Sequence, residues 1–319
     1  MDIELKEKVR IFSEVNNDFR KNFRWDGKEI NCLASLITGS SLEGFDEKNM
    51  KAIRKFIRKN TKFNSEYRGE FLKVFSILMN LRKDYEEVFE NTKYVYSVFM
   101  ERDFSKCKEA LYAAFLLAKR FSGKELEDKL NELLNIKENI DKYSYDFFKK
   151  NDYIMYVYLT IMGREFDEIL EIIKDIDLKF KNLNLKEFKE PSAFYISLLN
   201  SNLEIDEKIE RALNIRCCLV DNVDVLDDDV YPLIGLASNF VKDEEIYSKG
   251  VLGIYNMLSD KEHFNSKGLS DKILFKISLC IVLMRYIEYI YGDIIDLDTE
   301  GERELIYLIE EYIAFAIIF

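Results

Sequence analysis

Short apolar runs, almost free of charge, recur along this chain. They read CLASLI (32–37), VFSILMN (74–80), YAAFLLA (112–118), VYLTIM (157–162), FYISLLN (194–200), PLIGLAS (232–238) and KISLCIV (276–282). Aligned on Leu36, Leu78, Leu116, Leu159, Leu198, Leu236 and Leu279, they are spaced by 42, 38, 43, 39, 38 and 43 residues. A longer charged segment follows most of them, as in 85–102, 126–143, 166–180, 205–220 and 244–258. In the third of these, Phe166, Ile169, Leu170, Ile173 and Ile176 fall on one stripe of a 3.6-residue helix. Each unit therefore predicts a buried inner helix A followed by an amphipathic helix B.

A pair of helices cannot cover its own apolar stripe, and stacking on the next pair does so. The pattern predicts an all-α, α-solenoid-like stack of about seven helix-hairpin repeats of 38–43 residues, right-handed as the class usually is. One domain is expected over 1–319. Residues 1–25 would form an N-terminal cap helix, 26–290 the helix pairs, and 291–319 a C-terminal capping helix. The apolar finish, Ala314 to Phe319, suits either docking on the core or a homodimer contact.

Punctuation supports this register. Pro191 and Pro232 fall where A helices begin, and the first turn tolerates proline because its N–H groups lack intrahelical partners. Gly39 and Gly163 follow A cores, where a left-handed C-cap is expected; Asn80 and Asn200 occupy similar places. Asp26 and Glu29 have capping-box spacing, with Trp25 and Ile30 placed to form the accompanying hydrophobic staple.

The segments Phe23-Arg24-Trp25 and Ser65-Glu66-Tyr67-Arg68-Gly69, each leading into an A helix, together with units of about 40 residues to the end, give the chain a family resemblance. It resembles an uncharacterised, all-helical family of bacterial proteins of low-GC Gram-positive organisms, classed as a domain of unknown function. That resemblance implies a fold and no activity, so it brings no catalytic residue with it. The arrangement is also similar to tetratricopeptide and HEAT-type repeats, although the tetratricopeptide signature is absent.

Composition agrees. Glycine (12) and proline (2) make up about 4% of the 319 residues, against roughly 12% in average proteins, which excludes turn-rich β folds and glycine-loop nucleotide sites. The net charge of −12 argues against nucleic acid as a partner. The basic cluster Lys51, Arg54, Lys55, Arg58, Lys59 and Lys62 reads as one solvated helix face. The longest apolar tract, 306–319, is broken by Glu310 and Glu311, and the N-terminus lacks secretory-signal features. A cytoplasmic protein without a membrane partner is the expectation.

Candidate chemistry is sparse. His263 is the sole histidine and reads as a surface residue, which leaves no familiar His-based triad or metal motif. Cys32, Cys107, Cys217, Cys218 and Cys280 are odd in number, scattered and without CxxC spacing, so free thiols are expected. The run Asp221 to Asp229 has the oxygen ligands for Mg²⁺ or Ca²⁺, with Asp224, Asp227 and Asp228 the candidates, and equally suits the start of the next helix. The aromatic stretch containing Tyr143, Tyr145, Phe148 and Tyr153 suits either packing between repeats or a groove for an apolar or peptide ligand. These features point to a non-enzymatic protein- or peptide-binding scaffold without a cofactor, its partner basic or amphipathic. The alternative is a carboxylate- or metal-dependent α/α-fold enzyme.

Overall fold

A computed structural model describes residues 3–40, 45–143, 152–163, 165–182, 204–220, 230–264 and 269–292. Among them there are thirteen α-helices and one short 3₁₀ turn, and no strand. The helices are α1 (Ile3–Asn22), α2 (Lys28–Ser40), α3 (Glu47–Asn60), α4 (Glu70–Leu78), α5 (Tyr85–Glu101), α6 (Lys108–Arg120) and α7 (Gly123–Tyr143). They continue with α8 (Tyr153–Ile161), α9 (Phe166–Asn182), α10 (Ile205–Val220), α11 (Tyr231–Ser238), α12 (Glu244–Ser259) and α13 (Asp271–Gly292). Six of the seven apolar runs lie on α2, α4, α6, α8, α11 and α13; the seventh, 194–200, lies outside the described residues. The five amphipathic segments are α5, α7, α9, α10 and α12.

The chain divides into two compact units, Met1–Phe45 with Ser197–Phe319, and Asp46–Ile196. The second contains α3 to α9. Its A helices are buried on every side: Ala110 to Lys119 of α6 and Tyr153 to Thr160 of α8 are continuous buried runs. A helix that is apolar all round belongs in an interior. The B helices bury one stripe and place acids in the first turn, and α3 (Glu47; Arg58, Lys59) and α9 (Asp167, Glu168; Lys179, Lys181) add bases in the last. That order complements the helix dipole.

One contact recurs between a B helix and the A helix that packs on it next in sequence. A side chain on or just before a B helix donates to a carbonyl at or just past the end of the next A helix. Asn49 Nδ2 donates to the carbonyls of Asn80 and Arg82 beyond α4. Arg82 Nη1 donates to Lys119 O of α6 at 3.2 Å, and Lys129 Nζ to Thr160 O of α8 at 3.3 Å. In the other unit Arg211 Nη1 donates to Val241 O at 3.0 Å. The last carbonyls of a helix lack intrahelical partners; Lys119 O and Thr160 O are of that kind, whereas the Asn80, Arg82 and Val241 carbonyls lie in the turns just beyond α4 and α11. Asn80 reinforces the first of these junctions: its side chain accepts from Asp46 N at 2.9 Å and donates to Asp46 O at 2.7 Å. Asp46 in turn caps α3, its Oδ1 accepting from the N–H groups of Lys48 and Asn49 at 2.9 and 3.0 Å.

The first unit holds α1, α2 and α10 to α13, and joins sequence from both ends of the chain. Helix α1 packs along α2 and also on α12 and α13. Phe12 stacks on Phe264 with ring centroids 5.5 Å apart, and Lys261 Nζ donates to Ser13 Oγ at 2.6 Å. Arg285 pairs with Glu4 at 2.7 Å. Gly250, buried in α12, permits the close approach of α1: a β-carbon there would lie 3.3 Å from Leu5 Cδ1 and 3.5 Å from Val282 Cγ1.

Some local expectations hold and others are corrected. Pro232 sits in the first turn of α11, and Gly163 adopts φ 64° just after α8. Gly39 is not a C-cap, because α2 continues through it to Ser40. The capping box at Asp26 is displaced: Arg24–Asp26 forms the 3₁₀ turn, Gly27 turns at φ 99°, and α2 starts at Lys28. Trp25 is consequently not stapled to Ile30 but is 82% exposed, with the Arg24 guanidinium 4.6 Å from its ring centroid. The anchor of this turn is Phe23, packed against Phe19 and Phe45. Arg54 leaves the solvated face assigned to it; it is buried and its Nε donates to Ser76 Oγ of α4 at 2.8 Å.

Two substitutions test these contacts. Asn80→Ala removes both bonds to Asp46 and is expected to cost about 1–3 kcal/mol, read from amide hydrogen exchange in α3 and α4. Gly250→Val overfills the approach of α1 and is expected to cost about 1–3 kcal/mol, read from exchange in α1 and α12. Wild-type exchange in either variant would show that the contact carries no stability.

Candidate functional site

The aromatic stretch does not assemble as a groove from the residues described. Tyr143 ends α7 and is exposed, with the Lys142 ammonium 5.0 Å from its ring centroid. Tyr145 and Phe148 lie outside the described residues. Of the two readings open for Tyr153, the structure places it in the core. It is 3% exposed, its ring lies 4.6 Å from that of Phe104, and its hydroxyl accepts the Ser105 N–H at 2.8 Å. It fastens the start of α8 to the turn between α5 and α6. That turn is itself held by the parallel stack of Phe99 on Phe104 at 4.2 Å. Tyr156 and Tyr158 are buried as well, and burial pushes the Tyr156 hydroxyl well above its ordinary pKa.

The acidic candidates Asp224, Asp227 and Asp228 also lie outside the described residues. Among the described residues, no three His, Cys, Asp or Glu side chains form a group able to hold a metal. His263 is exposed. Cys32 and Cys280 are buried, and desolvation pushes the Cys32 thiol up to about 12 and raises Cys280 further still. Cys217 is exposed and Cys218 half-buried.

A polar pocket of about 100 Å³ opens in the second unit, between the start of α5 and the turn joining α6 to α7. Its charged lining is Arg82, Asp84, Glu87, Lys119 and Arg120, with Asn91 beside them. Arg82 grips Asp84 with a two-pronged bond, Nε to Oδ1 at 2.9 Å and Nη2 to Oδ2 at 2.5 Å. The Arg82 guanidinium holds the Asp84 carboxyl below the usual carboxylate range. Because Arg82 also bonds to Lys119 O, the ion pair fixes the end of α6 and shapes one wall. Lys119 is buried, Glu87 is exposed, and the Nε and Nη2 atoms of Arg120 are buried at the end of α6.

A family model described as a protein of unknown function, DUF4003, matches residues 11–312. The chain belongs to that family. No curated protein and no solved structure matches it. The DUF4003 description assigns no activity, so roles rest on the residues themselves. The match spans α2 to α13 and most of α1. No described helix is long and apolar enough to cross a membrane.

Sequence reasoning missed the pocket because its lining comes from two stretches, 82–91 and 118–122, that only folding brings together. One signal was present. Basic residues follow directly on two A cores, Arg82 and Lys83 after the second, and Lys119 and Arg120 after the third. At such positions they serve both helix ends and whatever opens beside them.

The placement of the single tryptophan and of the thiols is directly measurable. Trp25 is expected to emit like a fully hydrated indole and to be quenched freely by acrylamide. A blue-shifted, protected emission would restore the staple. A thiol reagent is expected to modify Cys217 quickly in the native protein and to reach Cys32 and Cys280 only on unfolding, which mass mapping would verify.

Proposed function

We propose that this DUF4003 protein is an α-solenoid-like scaffold of stacked helix hairpins that binds a protein or peptide segment and performs no reaction of its own. The observation that carries the proposal is the bond that recurs from a B helix, or the turn before it, to the end of the A helix packed after it, at Asn49, Arg82, Lys129 and Arg211. In the second unit it joins three successive junctions in sequence order. Such ordered neighbour-to-neighbour contact is how repeat proteins hold an extended binding surface.

Helices α6 and α8 are buried over most of their length, so in the second unit the described surface comes mainly from the outer faces of the B helices and from turns. These carry scattered exposed aromatic and aliphatic residues, such as Phe63, Tyr94 and Tyr143, on a strongly acidic background. Tyrosine combines an apolar ring with a polar tip and is enriched at contact surfaces. Acidic surroundings favour a basic or amphipathic partner segment.

The test begins with a displayed peptide library selected on the full-length protein. Selected peptides are then synthesised and titrated by calorimetry. Basic, amphipathic sequences are expected, with saturable one-to-one binding that weakens as salt is added. Two results would sink the proposal: selection that yields no saturable peptide, or a defined turnover that a single carboxylate substitution abolishes.

A further inference from the structure

We propose that the outward face of α3, with the turn after it, docks on an anionic phospholipid surface: its lysines and arginine meet the head groups, and Phe63 enters the apolar boundary beneath them. Lys48, Lys51, Lys55, Arg58 and Lys59 fall within one arc of α3, opposite the buried Met50, Ile53 and Ile57. From Lys48 to Lys59 the charges run along roughly 16 Å of helix. Lys62 continues the line just past the end of α3. All of these side chains are exposed. Lys51 is engaged by Glu47. Lys48, Lys55, Arg58, Lys59 and Lys62 have no carboxylate paired with them among the described residues. The flanking acids are Glu66 in the turn and Glu86 and Glu90 on α5, which packs on α3 through Phe56. Glu90 is itself paired with Lys93 at 2.6 Å. This face is therefore the exception to an acidic surface. A cluster of about four to eight Lys and Arg on one helix suits anionic head groups, each adding roughly fivefold to the affinity.

Phe63 supplies the apolar contact. It follows Lys62 directly and is 90% exposed. A lone exposed apolar side chain is ordinary on a protein surface, but this one stands on a turn pinned to the end of the basic helix. Arg68 Nε donates to Thr61 Oγ1 at 3.0 Å, and its Nη2 donates to Thr61 O at 2.6 Å and to Arg58 O. The Arg68 guanidinium also lies 5.9 Å from the Phe63 ring centroid. The ring is thus held beside the cations before any partner arrives. The apolar side of α3 is committed to the core, so the helix itself cannot sink into a bilayer and the contact is peripheral and reversible. The geometry favours lipid over other anions. The outer face of one helix is convex, whereas a bound peptide takes a groove or a sheet edge. Single-stranded nucleic acid calls for successive stacking aromatics along the basic track, and here one ring stands at its end. A bilayer meets one face only, and acids more than about 8 Å from it are largely screened. Lysine stems are long enough to lie along the boundary while their ammonium groups stay at the phosphates. Such a contact needs no spanning helix, and it replaces the expectation from sequence of no membrane partner.

This inference does not depend on the peptide-binding scaffold, and its failure would leave that reading intact. The experiment sediments the full chain with vesicles of phosphatidylcholine alone, or of phosphatidylcholine and phosphatidylglycerol at about three to one, an anionic mixture. Binding to the anionic vesicles only is expected, weakening as salt is added. The double variant Lys55→Gln/Lys59→Gln changes exposed side chains and is expected to bind about tenfold or more weakly. Phe63→Ala is expected to weaken binding several-fold through lost apolar burial. Lys124→Gln/Lys142→Gln removes the same charge from exposed positions on α7, which packs on α6 and α8, and should bind like wild type. A duplex and a single-stranded oligonucleotide are titrated in parallel. The proposal is overturned if anionic vesicles are not bound, if neutral vesicles bind equally well, or if the α3 double variant or Phe63→Ala keeps wild-type affinity with native circular dichroism. It is also overturned if the oligonucleotides bind through Lys55 and Lys59 while the vesicles do not, which would assign the face to nucleic acid.

Discussion

The ends of buried helices are the constraint on which the rest of this structure depends. An A helix such as α6 or α8 is covered along its whole length, so its last carbonyls have little access to water. Left bare, each would cost the desolvation penalty of an unmade hydrogen bond, about 1–3 kcal/mol. The protein meets this need at α6 and α8 with Arg82 and Lys129, and Asn49 and Arg211 tie down the turns just past α4 and α11 in the same way. The consequence is directional. Hydrophobic burial alone would let one helix slide along its neighbour, whereas a donor that must reach one particular carbonyl sets the register. The chemical identity of the donor varies among amide, guanidinium and ammonium, which explains why no conserved-looking motif marks these junctions in the sequence.

The helices themselves were legible because each rests on local information. Charge-free cores of about seven residues, B segments with a 3.6-residue stripe, and acids at B-helix starts all lie within one element. What the sequence could not convey are contacts made at a distance. Arg54 has the spacing of a solvated face, yet Ser76 on α4 draws it inward. Trp25 has staple spacing, yet the glycine at position 27 lets the chain turn once more before α2 begins, and Phe23 takes the buried place instead. Tyr153 was ambiguous between core and groove, and the choice was made by Phe104 and the Ser105 amide, both some 50 residues away. The pocket was illegible for the same reason, since no single element carries its lining.

Helix α1 illustrates a different limit. Its buried positions Leu5, Val9, Phe12, Asn16 and Phe19 define an ordinary amphipathic stripe. The stripe states that something covers it, not what. In the structure that cover comes from α2 and from α12 and α13 near the far end of the sequence. The contacts are chiefly apolar, with Phe12 on Phe264 and Leu5 beside Gly250. The Glu4–Arg285 pair, whose glutamate is largely exposed, adds little to them. The first unit is thus closed by burial between sequence-distant segments, and its assembly carries a larger loop-closure cost than the hairpins of the second unit.

Overall charge and local chemistry also separate here. A net charge of −12 describes the far field and selects against polyanions that must contact many side chains at once. It does not describe a pocket a few ångströms across. Helix ends require cationic or amide donors for their carbonyls, and those donors accumulate at hairpin junctions whatever the remaining surface carries. Arg82 is the clearest case, binding Lys119 O while pairing with Asp84 and forming a pocket wall. An acidic helical protein therefore concentrates basic donors locally, at the ends of its own helices.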